Sequence, residues 1–125
     1  MSKLGMGIVG CGWVSEEYIK AAQHDGRAAV RALVSRTTGK PETYRERHNL
    51  DCTIGKDYEE MVQRDDIDIV VVSTPHDLHT GPVVAAAEAG KHVIIEKPVA
   101  LTMDDVRKQQ AAVKKTGVKT IVSFV

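Results

Sequence analysis

Excess charge is absent from this sequence: Lys+Arg 17 is balanced by Asp+Glu 17, for a formal net charge of zero. No basic run is long enough to make a nucleic-acid or anionic-membrane surface, so a small molecule is the expected partner. No apolar run approaches the roughly 20 residues that a membrane-spanning helix requires. The N-terminus also lacks a basic stretch followed by a sustained apolar region. These absences predict no nucleic-acid and no membrane partner, and a cytoplasmic location by default. Cysteine is nearly missing too. Cys11 and Cys52 show neither CxxC spacing nor a secreted context, which argues against a disulfide framework or a zinc site. Internal repeats, low-complexity tracts and linkers rich in Pro, Gly or Ser are not found. The 125 residues suffice for a single domain whose core needs no covalent or metal staple.

What the sequence does contain is a regular alternation of short apolar runs with amphipathic stretches. Met6-Gly7-Ile8-Val9 breaks on Gly10 and passes into a helix pattern, with Val14, Tyr18, Ala21 and Ala22 on one face and an end near Gly26. Ala28 to Val34 reads as a second strand, Lys40 to His48 as a polar helix and Cys52 to Ile54 as a short third strand; Tyr58, Met61 and Val62 mark a short helix. Ile67, Ile69, Val70, Val71 and Val72 form a β-branched run with almost no polar alternation, as in a parallel strand buried on both faces. Leu78 to Ala89 is an alanine-rich helix closing on Gly90, and Val93 to Ile95 is a fifth strand. Thr102 N-caps the next helix, with Asp104 and Asp105 in its first turn, Met103, Val106 and Val113 on one face and Gly117 beyond its end. Thr120 to Val125 reads as a sixth strand. Such an alternation predicts an α/β fold, a doubly wound parallel sheet in the strand order 3-2-1-4-5-6.

The first strand-to-helix junction of such a sheet is where nucleotides bind, and here it reads Gly10-Cys11-Gly12-Trp13-Val14-Ser15. In the GxGxxG form of this turn, Gly10 makes the tight turn and Gly12 lets the main chain approach a pyrophosphate at the helix N-terminus. Ser15 stands in the third glycine position, where a small residue is enough for helix to pack on strand. Cys11 is a small turn residue, and Trp13 either covers the pyrophosphate turn or packs beneath it, with packing favoured. The second strand ends in Val34-Ser35-Arg36-Thr37, without the carboxylate that binds the adenosine ribose of NAD. Ser35 and Arg36 can instead meet a 2′-phosphate, which favours NADP over NAD. The alternative is that Arg36 is a solvated loop arginine stacking on adenine whichever cofactor is bound.

Two further motifs follow the fourth and fifth strands: Ser73-Thr74-Pro75-His76-Asp77-Leu78-His79 and Glu96-Lys97-Pro98. Both belong at the C-terminal edge of the sheet, beside the nicotinamide half of a dinucleotide. With the glycine turn and the Ala89-Gly90-Lys91-His92-Val93 lead-in, the sequence resembles the N-terminal Rossmann domain of the Gfo/Idh/MocA family, the glucose-fructose oxidoreductases and inositol dehydrogenases. The resemblance implies that Lys97 polarises or helps deprotonate a substrate alcohol, that Glu96 orients nearby groups and that Pro98 shapes the turn. It also implies that Thr74, Pro75 and His79 shape the cofactor wall, while the main chain from Gly10 to Val14 meets the pyrophosphate. His76 stands where the commonest form of the motif has asparagine. On residue chemistry alone, Lys97 also reads as a surface lysine paired with Glu96. The HxxH spacing of His76 and His79 is not expected to bind metal, because no third ligand is evident.

The family's substrate-binding and oligomerisation domain is not represented in residues 1–125, and the chain stops inside an apolar run. The expectation is therefore a cofactor-binding domain of an oxidoreductase acting on a hydroxyl of a sugar, cyclitol or related compound, inactive by itself, with homo-oligomer contacts in the missing domain. The alternative is a non-catalytic nucleotide-binding sensor module. If Arg36 reads a 2′-phosphate, Arg36→Ala weakens NADP binding by about 1 to 3 kcal/mol and leaves NAD nearly unchanged, as parallel titrations will show.

Overall fold

The computed structural model describes residues 3–35, 39–74, 79–97 and 99–123, without the side chains of Trp13, Lys40 and Ser123. Six strands, β1 (Leu4–Val9), β2 (Ala28–Val34), β3 (Thr53–Gly55), β4 (Ile69–Val72), β5 (His92–Glu96) and β6 (Thr120–Ser123), form one sheet in the order β3-β2-β1-β4-β5-β6. Every neighbouring pair is parallel, as the sequence predicts. Parallel neighbours require crossover connections. These are supplied by α1 (Trp13–Asp25), α2 (Gly39–Arg47), α3 (Tyr58–Val62), α4 (Thr80–Glu88) and α5 (Met103–Thr116).

Register explains why the strands carry so little polar residue. Leu33, Ile8, Val71 and Ile94 are cross-strand partners in one row, and Val34, Val9, Val72 and Ile95 in the next. Side chains one residue apart point to opposite faces, so the first row meets Ile19 and Ala22 of α1 and Tyr44 of α2. The second row meets Met61 and Val62 of α3 and Val83 and Ala86 of α4. The central β4 is enclosed on both sides, with Val70, Val71 and Val72 all fully buried.

The helix ends follow the capping residues. Thr102 Oγ1 accepts the Asp105 N–H at 3.1 Å, and Gly117, at φ 71, closes α5 by donating its N–H to the Val113 carbonyl. Two helical faces differ from expectation. In α1 the buried stripe is Ser15, Ile19 and Ala22, one step round from the expected Val14, Tyr18 and Ala21, and Ala21 is exposed. Ile19 takes the core position because it can be fully dehydrated, whereas the Tyr18 hydroxyl needs a polar partner and finds it at the rim. In α5 the buried residues are Gln109 and Ala112, while Met103 is 63% exposed. That helix packs against α4. Gln109 belongs to this contact, where its Nε2 donates to Thr80 Oγ1 and the Val99 carbonyl, both at 3.0 Å.

Boundaries shift slightly. α4 begins at Thr80 and not at the expected Leu78, which lies outside the described residues. Ile67 is buried but precedes β4, and β6 is described to Ser123, with Phe124 and Val125 outside the description. Among the described residues no helix is long and apolar enough to cross a membrane. Ile8 lies at the centre of the α1-facing row with no exposed surface. Ile8→Ala is expected to destabilise the domain by about 2 to 5 kcal/mol in urea unfolding.

Candidate functional site

The turn after β1 is locked from both sides. Gly10 N–H donates to the Val34 carbonyl at the end of β2, at 2.8 Å. On the other side, Ser73 at the end of β4 donates its N–H to the Val9 carbonyl at 2.9 Å and its hydroxyl to the Gly10 carbonyl at 2.9 Å. Gly10 has φ 93, and a Cβ there would stand 2.7 Å from the Thr74 nitrogen. Both its backbone angle and its neighbours therefore demand glycine.

Gly12 is different. It is the N-cap of α1 in an extended conformation, φ −83 and ψ −174, with no side-chain cap on the helix, and a Cβ there would meet nothing within 4 Å among the described residues. The protein's own packing does not require glycine here. Its absent side chain leaves room, among the described residues, at the positive end of the α1 helix dipole. A helix N-terminus with room in front of it is a type of backbone site at which anions bind.

The other side of the Gly12 peptide is crowded with donors. Its carbonyl accepts from the Ser15 hydroxyl at 2.6 Å, the Ser15 N–H at 3.2 Å and the Tyr44 hydroxyl of α2 at 3.1 Å. Ser15 is fully buried, so it both fits the small-residue position and bonds back to the turn. Nearby, Glu16 accepts from Arg47 at 2.6 Å and pairs with His48 Nε2 at 2.7 Å. The His48 hydrogen bond, then that of Arg47, holds the Glu16 carboxyl below the usual range. Its negative charge is thereby compensated close to a place suited to an anion. Cys11 is buried in the α1-facing core, and burial, with a smaller effect of Cys52, pushes its thiol up to about 12. Only the main chain of Cys11 can serve a ligand. Val14 is half-buried, and the Trp13 side chain lies outside the description.

At the N-cap of α4, His79 is fully buried with Nε2 2.8 Å from the carbonyl of Thr74, which follows β4. It therefore latches the two ends of the turn together and acts on any ligand through the loop's shape. The Thr74 hydroxyl is buried without a hydrogen-bond partner among the described residues, while Pro75 and His76 lie outside them. At the end of β5, Glu96 accepts a hydrogen bond from the Tyr18 hydroxyl of α1, and Lys97 is exposed in the bend that follows. Pro98 lies outside the description. Ser35 follows β2 and donates its N–H to the Gly55 carbonyl at 3.0 Å, but Arg36 is outside the described residues, so the proposed 2′-phosphate contact is too.

The structure thus gathers Gly10, Gly12, Ser35, Thr74, His79, Glu96 and Lys97 at the C-terminal ends of β1, β2, β4 and β5, the edge at which open α/β sheets bind ligands. Sequence reasoning missed Tyr44, which sits in a polar helix with no motif around it. Tyr18 was assigned to the core face, although a hydroxyl on that face was a signal that a polar partner was needed.

Comparison with known proteins agrees with this geometry. A family model described as an oxidoreductase family with an NAD-binding Rossmann fold matches residues 4–124. The chain is 33% identical over 118 residues to 2,7-anhydro-N-acetylneuraminate hydratase of Mediterraneibacter gnavus, covering 94% of this chain and 30% of that protein. It is 31% identical over 112 residues to 1,5-anhydro-D-fructose reductase of Ensifer adhaerens, covering 90% and 33%. An NAD binding oxidoreductase from Klebsiella pneumoniae superimposes with a TM-score of 0.88 at 27% identity, over 98% of this chain and 34% of that one. The chain spans about a third of the length of the curated relatives it matches.

The Glu16 cluster carries a pH signature. Its folded pKa is lowered from 4.5, so its stabilisation is present above that value and is lost as pH falls through the folded pKa. The difference in melting temperature between the parent chain and Glu16→Gln is expected to be present at about pH 7 and to shrink as pH falls below the ordinary carboxylate range and through the lowered folded pKa.

Proposed function

Because this chain belongs to the Gfo/Idh/MocA oxidoreductase family and forms its NAD-binding Rossmann domain, we propose that it holds NAD or NADP for hydride exchange with a hydroxyl-bearing carbon of a sugar, cyclitol or related small molecule. The observation that carries this reading is the contrast between the two glycines. Gly10 is demanded by the protein itself, whereas a Cβ at Gly12, at the N-terminus of α1, meets no atom within 4 Å among the described residues.

In this reading the Gly12 turn and the α1 N-terminus take the pyrophosphate. Ser35 and Arg36 are assigned to the adenosine end, with NADP favoured over NAD by the missing carboxylate. Thr74, Pro75, His76 and His79 are assigned to the side of the nicotinamide, His79 through the backbone it clasps, and the nicotinamide when bound supplies the hydride donor or acceptor. In the same reading Lys97, in the bend after β5, donates a hydrogen bond to the substrate oxygen and exchanges a proton with it as the alcohol and carbonyl interconvert. Glu96 is held by Tyr18, which supports the bend carrying Lys97. The two curated relatives are named for anhydro sugars, and a cyclic polyhydroxylated substrate is the class this proposal adopts. Relatives are about three times as long, and their remaining length has room for substrate walls and subunit contacts. On this reading the 125 residues bind the dinucleotide without turning substrate over.

Titration of the chain with NADH and NADPH, followed by nicotinamide fluorescence, tests the assignment. Gly12→Ala is expected to keep the parent melting temperature and to weaken binding by about tenfold or more, since its methyl fills the room left for the pyrophosphate. Gly10→Ala is expected to destabilise the fold by about 1 to 3 kcal/mol. Absence of saturable binding by the parent chain, or unchanged affinity in Gly12→Ala, overturns the proposal.

A further inference from the structure

Gly12 has no side chain to restrain the peptide that follows it, and glycine has the greatest backbone freedom of any residue. Yet its carbonyl is the most heavily bonded group of the turn. It receives the Ser15 hydroxyl at 2.6 Å, the Ser15 N–H at 3.2 Å and the Tyr44 hydroxyl at 3.1 Å. In a trans peptide the carbonyl and the following N–H point in opposite directions. Donors that gather the Gly12 oxygen toward α2 and the body of α1 therefore turn the Trp13 N–H the other way.

We infer that Tyr44 and Ser15 are positioning residues that fix the orientation of the Gly12–Trp13 peptide, so that its N–H and not its carbonyl faces the pyrophosphate of the bound dinucleotide. The inference rests on the dinucleotide reading above. A reversed peptide would aim a carbonyl oxygen at a polyanion, and the three hydrogen bonds oppose that reversal. Tyr44 is itself held in place. It is 7% exposed, the Arg47 guanidinium lies 5.7 Å from its ring centre, and Arg47 and His48 both engage Glu16 on α1. α2 is thus tied to the first turn of α1 at two points, Tyr44 to Gly12 and Arg47 with His48 to Glu16. Because α2 follows the loop after Ser35, the tie joins the adenosine end of the site to its pyrophosphate turn. Ser15 also acquires a reason beyond size. A glycine in the third position of the motif packs equally well but has no hydroxyl to donate.

The test uses Tyr44→Phe, which keeps the ring and removes only the donor, together with Ser15→Ala and the double variant. NADH and ADP-ribose, which carry the pyrophosphate, are compared with adenosine, which does not. Each single variant is expected to weaken NADH and ADP-ribose by about 3- to 10-fold. Adenosine affinity is expected to stay within about twofold, because nothing it touches has lost a hydrogen bond. A purely structural role moves all three ligands together. Equal losses for all three, or unchanged NADH affinity in the double variant, overturn the inference alone. Failure of the parent chain to bind either NADH or NADPH overturns the dinucleotide reading and this inference with it.

Discussion

At the end of β1 the main chain is bonded on both flanks at once, to the Val34 carbonyl of β2 through Gly10 and to Ser73 of β4 through the Val9 and Gly10 carbonyls. The sheet reverses its winding at this strand, with β2 and β3 on one side and β4, β5 and β6 on the other. A chain leaving the sheet here must turn sharply without colliding with Ser73 and Thr74, and only a residue without Cβ passes them at φ 93. The direction of α1, the room at its N-terminus and the distance across to the β4 and β5 ends all depend on that one turn.

Around it, side chains on the helices hold groups at the strand ends. Tyr44 on α2 holds the Gly12 carbonyl, Tyr18 on α1 holds the Glu96 carboxylate, and His79 at the start of α4 holds the Thr74 carbonyl. Buried or half-buried polar groups are costly unless bonded, so such pairs restrict the loops to the few arrangements that satisfy them. The consequence is a ligand edge whose shape is set by the helices behind it. His79 illustrates the point: as a fully buried side chain it reaches the site only through the backbone it clasps.

Much of the architecture was legible because hydrophobic period and breaker residues are local signals. The apolar run at β4 and the Thr102 and Gly117 caps all appear where their chemistry places them. Faces of helices were less legible. The Val14, Tyr18, Ala21 and Ala22 stripe differs by one step from the buried Ser15, Ile19 and Ala22, because sequence period does not say which of two adjacent stripes meets the sheet. Met103 looks like core in sequence and is exposed, since α5 packs on α4 through Gln109 and Ala112. In the site, glycine positions and the Glu96-Lys97 motif were readable as motifs, whereas Tyr44 was not, because its partner is a carbonyl brought to it by the fold.

By itself the sequence determined the alternation of elements, the parallel sheet and its order, and the glycine turn at the switch point, for these follow from steric and hydrophobic rules that act over neighbouring residues. Only the tertiary structure decided that Gly10 and Gly12 differ in kind, one required by its neighbours and the other with no described atom within 4 Å of a Cβ. It alone decided which hydroxyls and carboxylates meet across 32 or 78 residues of chain, as Tyr44 meets Gly12 and Tyr18 meets Glu96. The reason is that such contacts are made between elements, and their geometry does not exist until the sheet has set the distances among them.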